Sequence, residues 1–296
     1  MEEILKNLQA IERWIDTAPD ISNLRTDDDF MVIVTELMSY TLYVLRIGAS
    51  SAPSEEISQK GYSKQRAVIV GHMIQIVKLY EGILMHISER QLELAIIFSR
   101  LIFETSLRMR YLIVSKHKRK SFRSFLLASH KPERDILADL EKKAEKRPLI
   151  PIEKRIKNRI RELLKRDKIT LKALRANRIW NVDGKNFKDL LRDLKFDAAY
   201  SYMFGSGSHS IHGDWKDINQ YHIEREGRYY FPKLQYTDPD PRVACAMTTV
   251  CLDALSRYLQ WNKSDVDNVL SLIISKLTKL NSALDMAHEK VLNTKT

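Results

Sequence analysis

Helix breakers are scarce in this chain, and they cluster: nine Gly and eight Pro among 296 residues. Between the clusters run long stretches with nothing to interrupt a helix, whereas a many-turned β fold would need turn residues throughout. The expected fold class is therefore all-α: a multi-helix bundle with a basic helical insertion and at most one small β-hairpin. Hydrophobic residues make up 44% of the chain, enough for a sizeable core and against global disorder.

Apolar periodicity places the elements. Ile4, Leu5, Leu8, Ile11, Trp14 and Ile15 recur at helical spacing over Glu2–Thr17. Asp27–Asp29 suit the first turn of a helix running to about Ile47, and Gly48–Gly61 reads as a loop. A third helix spans Ser63–Ser88. Ser88 stands three before Gln91, the spacing of a capping box for a fourth helix through Ile113. Lys131 to about Arg147 and Ile152–Arg166 follow. The second of these is polar nearly all round, which places it outside the main core. Gly205 and Gly207 argue against a regular helix at that point. His222–Pro232, with Gly227 in its middle, is the one candidate hairpin. Val243–Trp261 is a strongly apolar helix, and Ser264–Asp267 cap a last one running to about His288. The organisation expected is a single domain: core residues 1–115, a basic insertion over 116–180, and core residues 181–296.

Phe30–Ala49 and Val68–Ile87 are long and apolar enough to raise the question of a membrane. Glu36 and Arg46 interrupt the first, and His72, Lys78 and Glu81 the second, so both read as buried core helices. The charged, amphipathic N-terminus does not resemble a signal peptide. Cys245 and Cys251 stand six apart in an apolar run, a spacing that fits no zinc or redox motif and suggests buried thiols in a reducing compartment. The expected location is cytoplasmic, with no membrane partner.

The net charge of +11 is localised. Lys116–Arg178 holds 22 of the 49 Lys and Arg but 8 of the 38 Asp and Glu, a local excess of 14. The remainder has 27 basic and 30 acidic residues, a net of −3. Such a segment attracts phosphate-rich partners, RNA or DNA, and Lys142, Lys143, Arg155, Arg159, Lys165 and Arg166 are the candidate contacts. A merely solvated helical face is the plainer account.

The stretch Tyr200–His222 carries His209, His212 and His222, three of the eight histidines, with Gly205, Gly207, Gly213, Asp214 and Trp215 between or beside them. Histidine and aspartate are ligand types for zinc, manganese or iron, and Glu104 could complete such a set. No His-Glu-x-x-His motif is present, so the metal is unspecified; a divalent ion is compatible with the site but not required by it. The glycines and Ser206, Ser208 and Ser210 would also suit an anion, with Arg108 or Arg110 adding charge. There is no Walker loop, dinucleotide fingerprint or nucleophile elbow. Glu104, Arg108 and Tyr111 share one helical face, and on an apolar helix such charges must be paired or face a cavity. The candidate catalytic residues are His212, His209, Glu104 and Arg108, with His212 and Glu104 expected in side-chain contact. The competing account is a structural lock, in which the histidines are satisfied by hydrogen bonds and Trp215 is packed.

Leu101–Leu112 with its central Glu104, Phe122–Phe125, and Ser208–Trp215 together resemble the bacterial domain-of-unknown-function family numbered 5677, whose members show a helix with a central Glu and a Ser-x-x-x-His-Gly motif. Ser208, His212 and Gly213 match that motif. The resemblance covers roughly residues 88–259 and implies a helical fold but no established activity. Such proteins are similar in style to helical phage-defence proteins, HEPN-type ribonucleases among them. That likeness would imply an Arg and a His a few residues apart, and Arg110 with His117 and Arg123 with His130 have the nearest spacing. Two functions follow as expectations. One is a ribonuclease-like effector with a His-centred site; the other is a non-enzymatic binding or assembly module, either a homodimer or bound to a partner protein.

Overall fold

The computed structural model describes residues 2–17, 20–53, 55–177, 181–196, 205–264 and 267–295. The first helix, α1 (Glu2–Asp16), is followed by α2 (Asp27–Ser50). Thr26 caps α2: its hydroxyl accepts from Asp29 N at 3.2 Å while the Asp29 carboxylate accepts from Thr26 N at 2.9 Å. The helix runs past Gly48 because that glycine is packed, not flexible: a Cβ there would lie 2.5 Å from Leu255 Cδ1. The expected Gly48–Gly61 loop is therefore shorter, and it holds a brief helix, α3 (Glu55–Lys60). Ser63 then caps α4 (Lys64–Ser88), accepting from Arg66 N.

The capping box expected from Ser88 and Gln91 does not form. Ser88 is the last residue of α4, and Arg90 at φ +56° turns the chain. The next helix, α5 (Leu92–Val114), is anchored from a distance, with Leu92 N donating to Thr237 O at 3.2 Å and Thr237 N to Glu93 Oε1 at 2.9 Å. Then come α6 (Lys118–Ser129), α7 (Lys131–Lys146), α8 (Pro151–Arg166), α9 (Leu171–Ala176), α10 (Phe187–Asp193) and α11 (Gly205–His212). A two-stranded hairpin, β1 (Ile223–Glu226) and β2 (Tyr229–Pro232), turns at Gly227 (φ +59°), and α12 (Pro241–Asn262) and α13 (Asp267–Lys295) complete the chain. The fold is all-α with one small sheet. Residues 265 and 266, which belong to the expected cap of α13, lie outside the described residues, as do residues 200–204 of the Tyr200–His222 stretch.

The chain divides into two compact units: Met1–Ile113 with Lys195–Thr296, and Val114–Leu194. The first is built on α2, α4, α12 and α13, with α2 packed on the other three and α12 on α4 and α13. α2 and α4 are long and apolar enough to cross a membrane, and in the structure each packs in this bundle. Buried hydrogen bonds join elements of this bundle. The fully buried Tyr80 of α4 shares a 2.7 Å hydrogen bond with Thr248 of α12, whose hydroxyl donates to Ala244 O. Asn281 of α13 donates to Cys245 O at 2.9 Å, and Asn262 donates to Ser51 O at 2.9 Å. Both cysteines are free and buried; burial pushes the Cys245 thiol up to about 12.

The second unit has its own small core of Leu137, Ile160, Leu164 and Leu174. α8 is thus not polar all round: Ile160 and Leu164, one turn apart, form a narrow apolar seam facing α7. A bidentate pair holds the start of α8, with Arg147 donating to both oxygens of Glu153 at 2.7 and 2.8 Å and Ile150 N donating at 3.0 Å. These donors hold the Glu153 carboxyl at about 2, against an ordinary 4.5. The unfolded chain therefore takes up the proton first. The contribution of the pair is complete above about 4.5 and is lost as pH falls through about 2. Thermal melts should show Glu153→Gln less stable than the parent at neutral pH and the gap closing in that acid range; a gap independent of pH would refute the assignment.

Candidate functional site

The His-Gly-Asp-Trp segment is a helix end followed by a tight turn. α11 includes Gly205 and Gly207 in its first turn, so the expectation of an irregular segment there is corrected. Glycine weakens a helix by only about 1 kcal/mol per residue relative to alanine, which surrounding structure can override. Gly213, at φ +57°, ends the helix. Asp214 then does two things. It caps the turn Trp215–Asp217, accepting from Lys216 N at 3.0 Å and Asp217 N at 3.3 Å, and it accepts a 2.5 Å hydrogen bond from His209 Nδ1. The bond to His209, chiefly, and the backbone donors hold the Asp214 carboxyl below its usual range. His209 is partly exposed and His212, one turn on, is exposed. A carboxylate on Nδ1 fixes the tautomer and leaves Nε2 for proton transfer.

His222 pairs elsewhere, 3.3 Å from the buried Asp217. His209 and His222 thus fall into separate carboxylate pairs. Among the described residues no three His, Cys, Asp or Glu side chains are grouped to hold a metal ion.

Glu104 does not meet these histidines through any hydrogen bond or ion pair among the described residues. Its carboxylate bridges two arginines of its own helix, Arg100 Nε at 3.0 Å and Arg108 Nη2 at 3.2 Å. Spacing of four in each direction makes this a ladder along one face of α5. Arg108 also lies close enough to His72 of α4 that its charge, after burial, helps to depress that imidazole.

The six basic candidates, Lys142, Lys143, Arg155, Arg159, Lys165 and Arg166, are all exposed and all belong to the Val114–Leu194 unit. Lys143 pairs with Asp139 at 2.7 Å; the other five make no ion pair among the described residues. Of the two Arg–His spacings, Arg123 is exposed on α6 while His130 is buried, its Nε2 2.9 Å from Asp167 Oδ2. Arg110 is turned instead to Asp253 and Phe196.

Two features escaped the sequence reading. One is an exposed aromatic group: Trp215 meets Tyr230 edge-on at 5.7 Å, and Tyr229, Phe231 and Tyr236 are exposed near it in sequence. Its signal was the run Tyr229–Phe231 beyond Gly227. The other is a cavity beside Arg110, whose signal was Asp253 and Arg257, four apart on an otherwise apolar helix.

These features define a helical-bundle protein with a strongly basic second unit and a histidine-bearing turn. The model of the "Family of unknown function (DUF5677)" matches residues 66–229, more than half of the chain, and the chain belongs to that family. The match runs from α4 through the basic unit to the hairpin. Searches of curated proteins and of solved structures return no match.

Proposed function

We propose that the protein binds nucleic acid, RNA or DNA, through the Val114–Leu194 unit, with the phosphate backbone as the main determinant. One observation carries this reading. The unit holds 25 Lys and Arg against 11 Asp and Glu, while the other unit holds 24 against 27. A solvated Lys-rich helix ordinarily interleaves acidic residues as intrahelical partners. α8 has two, Glu153 and Glu162, and Glu153 is occupied by Arg147. Lys154, Arg155, Lys157, Arg159, Arg161, Lys165 and Arg166 make no ion pair among the described residues, so their field is available to an incoming polyanion.

A ribonuclease-like activity extends the same reading. His209, oriented by Asp214, is the group best arranged to take or give a proton, with His212 one turn away. A role in phage defence, which only the likeness in style to helical defence proteins suggests, rests on that activity. The test is fluorescence anisotropy with labelled single-stranded RNA and duplex DNA over a salt series, with a cleavage time course run alongside, with divalent ion and with chelator. Binding should weaken log-linearly with salt, with a slope of about −3 for four phosphates on a single strand. Absence of binding at low salt removes the proposal; binding without cleavage, unaffected by His209→Ala, confines it to a binding role.

A second reading, a binding or assembly module, is favoured by Trp215 and Tyr230, exposed and in edge-on contact, since grouped surface aromatics mark interaction sites. It predicts concentration-dependent association in light scattering that is lost in Tyr230→Ser.

A further inference from the structure

We propose that the cavity between α5 and α12 is a binding site for a small organic monoanion, an apolar body with a carboxylate-type head, held at its charged end by Arg110. The cavity measures about 290 Å³ and lies wholly within the bundle unit. Its walls are apolar: Phe103, Leu107 and Met109 from α5, Val250 and Ala254 from α12, and Phe196. Three charged residues, Arg110, Asp253 and Arg257, line it as well.

The charges there do not balance. Asp253 accepts from Arg257 Nε at 3.1 and 2.9 Å, a close two-oxygen contact. Arg110 reaches the same carboxylate only by one long bond, Nη1 to Oδ2 at 3.4 Å. Among the described residues, two guanidinium groups thus share one carboxylate, leaving one positive charge over. Arg110 is the under-served member. Its side chain is 17% exposed, its guanidinium stacks on Phe196 at 4.3 Å, and its Nε is buried with no hydrogen-bond partner among the described residues. Burial and the neighbouring Arg257 both pull its pKa down, as expected for a cation short of anions. Four residues earlier on α5, Ser106 lines the same cavity, and its Oγ is also buried with no partner among the described residues. An apolar packing void carries no such groups, and buried polar groups are as a rule satisfied. Two unused donors and a surplus charge beside an apolar cavity are the complement of a carboxylate on a hydrocarbon or aryl body.

Size and charge set the class. The volume is at the lower end for small-molecule sites, so two-chain lipids are excluded. One surplus charge suits a monoanion, whereas a nucleoside di- or triphosphate would bring several. The site is independent of the basic surface on α8 and of the nucleic-acid reading.

The probes are octanoate and octan-1-ol, matched in their chains and different in their heads, titrated calorimetrically into the full-length protein. Octanoate should bind with 1:1 stoichiometry and about 10-fold more tightly than the alcohol, one charge-assisted hydrogen bond being worth at least that factor. Arg110→Met keeps the bulk and leaves Asp253 with Arg257; it should erase the difference between the two probes without changing RNA affinity. Ser106→Ala should weaken octanoate alone, and Val250→Phe, which fills the cavity, should weaken both. The proposal is overturned if octanoate shows no saturable binding, or if its affinity is the same in Arg110→Met as in the parent.

Discussion

Replacing Arg155, Arg159, Lys165 and Arg166 by Gln is expected to weaken RNA binding on the order of 100-fold at moderate salt and to flatten the salt dependence by nearly three logarithmic units per decade. The expectation follows from their surroundings. All four are exposed on α8 and make no ion pair among the described residues, so nothing in the protein neutralises them. A cation already paired must first surrender its partner, and much of the gain on binding phosphate is lost; an unpaired one releases condensed counterions from the nucleic acid outright. Gln keeps helix propensity and length, so α8 should persist. Only the favourable end charges of Lys165 and Arg166 are given up, about 0.3–1 kcal/mol each at most. The control is Lys279→Gln with Lys290→Gln on α13, exposed cations of the other unit. If binding depends on overall charge alone, that pair should reduce the affinity by a comparable factor per charge. If the basic unit is the binding surface, the pair should leave it nearly unchanged, and the four-residue variant should carry the loss. Equal losses per charge in both variants would sink the assignment to α8.

How much of this could be read beforehand depended on whether the governing interaction was local. The helices with local start signals were legible: Thr26 with Asp29, Ser63, and Asp240 before Pro241 each cap within four residues. The hairpin was legible because Gly227 supplies the positive φ its turn needs. Misreadings occurred where a distant partner decided the outcome. Gly48 looked like the start of a loop, but Leu255 on α12 fills the space its missing side chain leaves. Ser88 and Gln91 had the spacing of a cap, but Thr237 supplies the donor and acceptor that fix the start of α5. The same distinction governs the candidate site. Asp214 and His209 are near in sequence, and their meeting could be suspected. Glu104 is half-buried, and its own helix supplies partners at positions 100 and 108. The charge asymmetry was fully legible, since it is a count. That its bearers are exposed and unpaired was not, because pairing depends on which faces α7 and α8 present to each other.

The largest effect on stability is expected from Tyr80→Ala, about 3–5 kcal/mol for the loss of a fully buried aromatic ring. The ring sits on α4 where that helix meets α12, and its hydroxyl ties the two through Thr248. The hydroxyl and the ring separate cleanly. In Tyr80→Phe the Thr248 hydroxyl still donates to Ala244 O, so no donor is orphaned and the cost should be about 0.5–1.5 kcal/mol. The Ala variant adds a cavity among side chains that cannot collapse without moving whole helices, since α2, α4, α12 and α13 each pack on more than one of the others. Against a total stability of about 5–15 kcal/mol, that loss is a large fraction. Urea unfolding should report it in a specific way. The chain has two compact units with separate cores, so the two need not unfold together. Tyr80→Ala should move the bundle's transition to lower urea and leave unchanged the urea dependence of hydrogen exchange in α7 and α8. Tyr80→Ala within about 1 kcal/mol of Tyr80→Phe would mean that the ring contributes little beyond its hydroxyl and that the bundle's centre lies elsewhere. An equal shift of both units would mean that they unfold as one cooperative body.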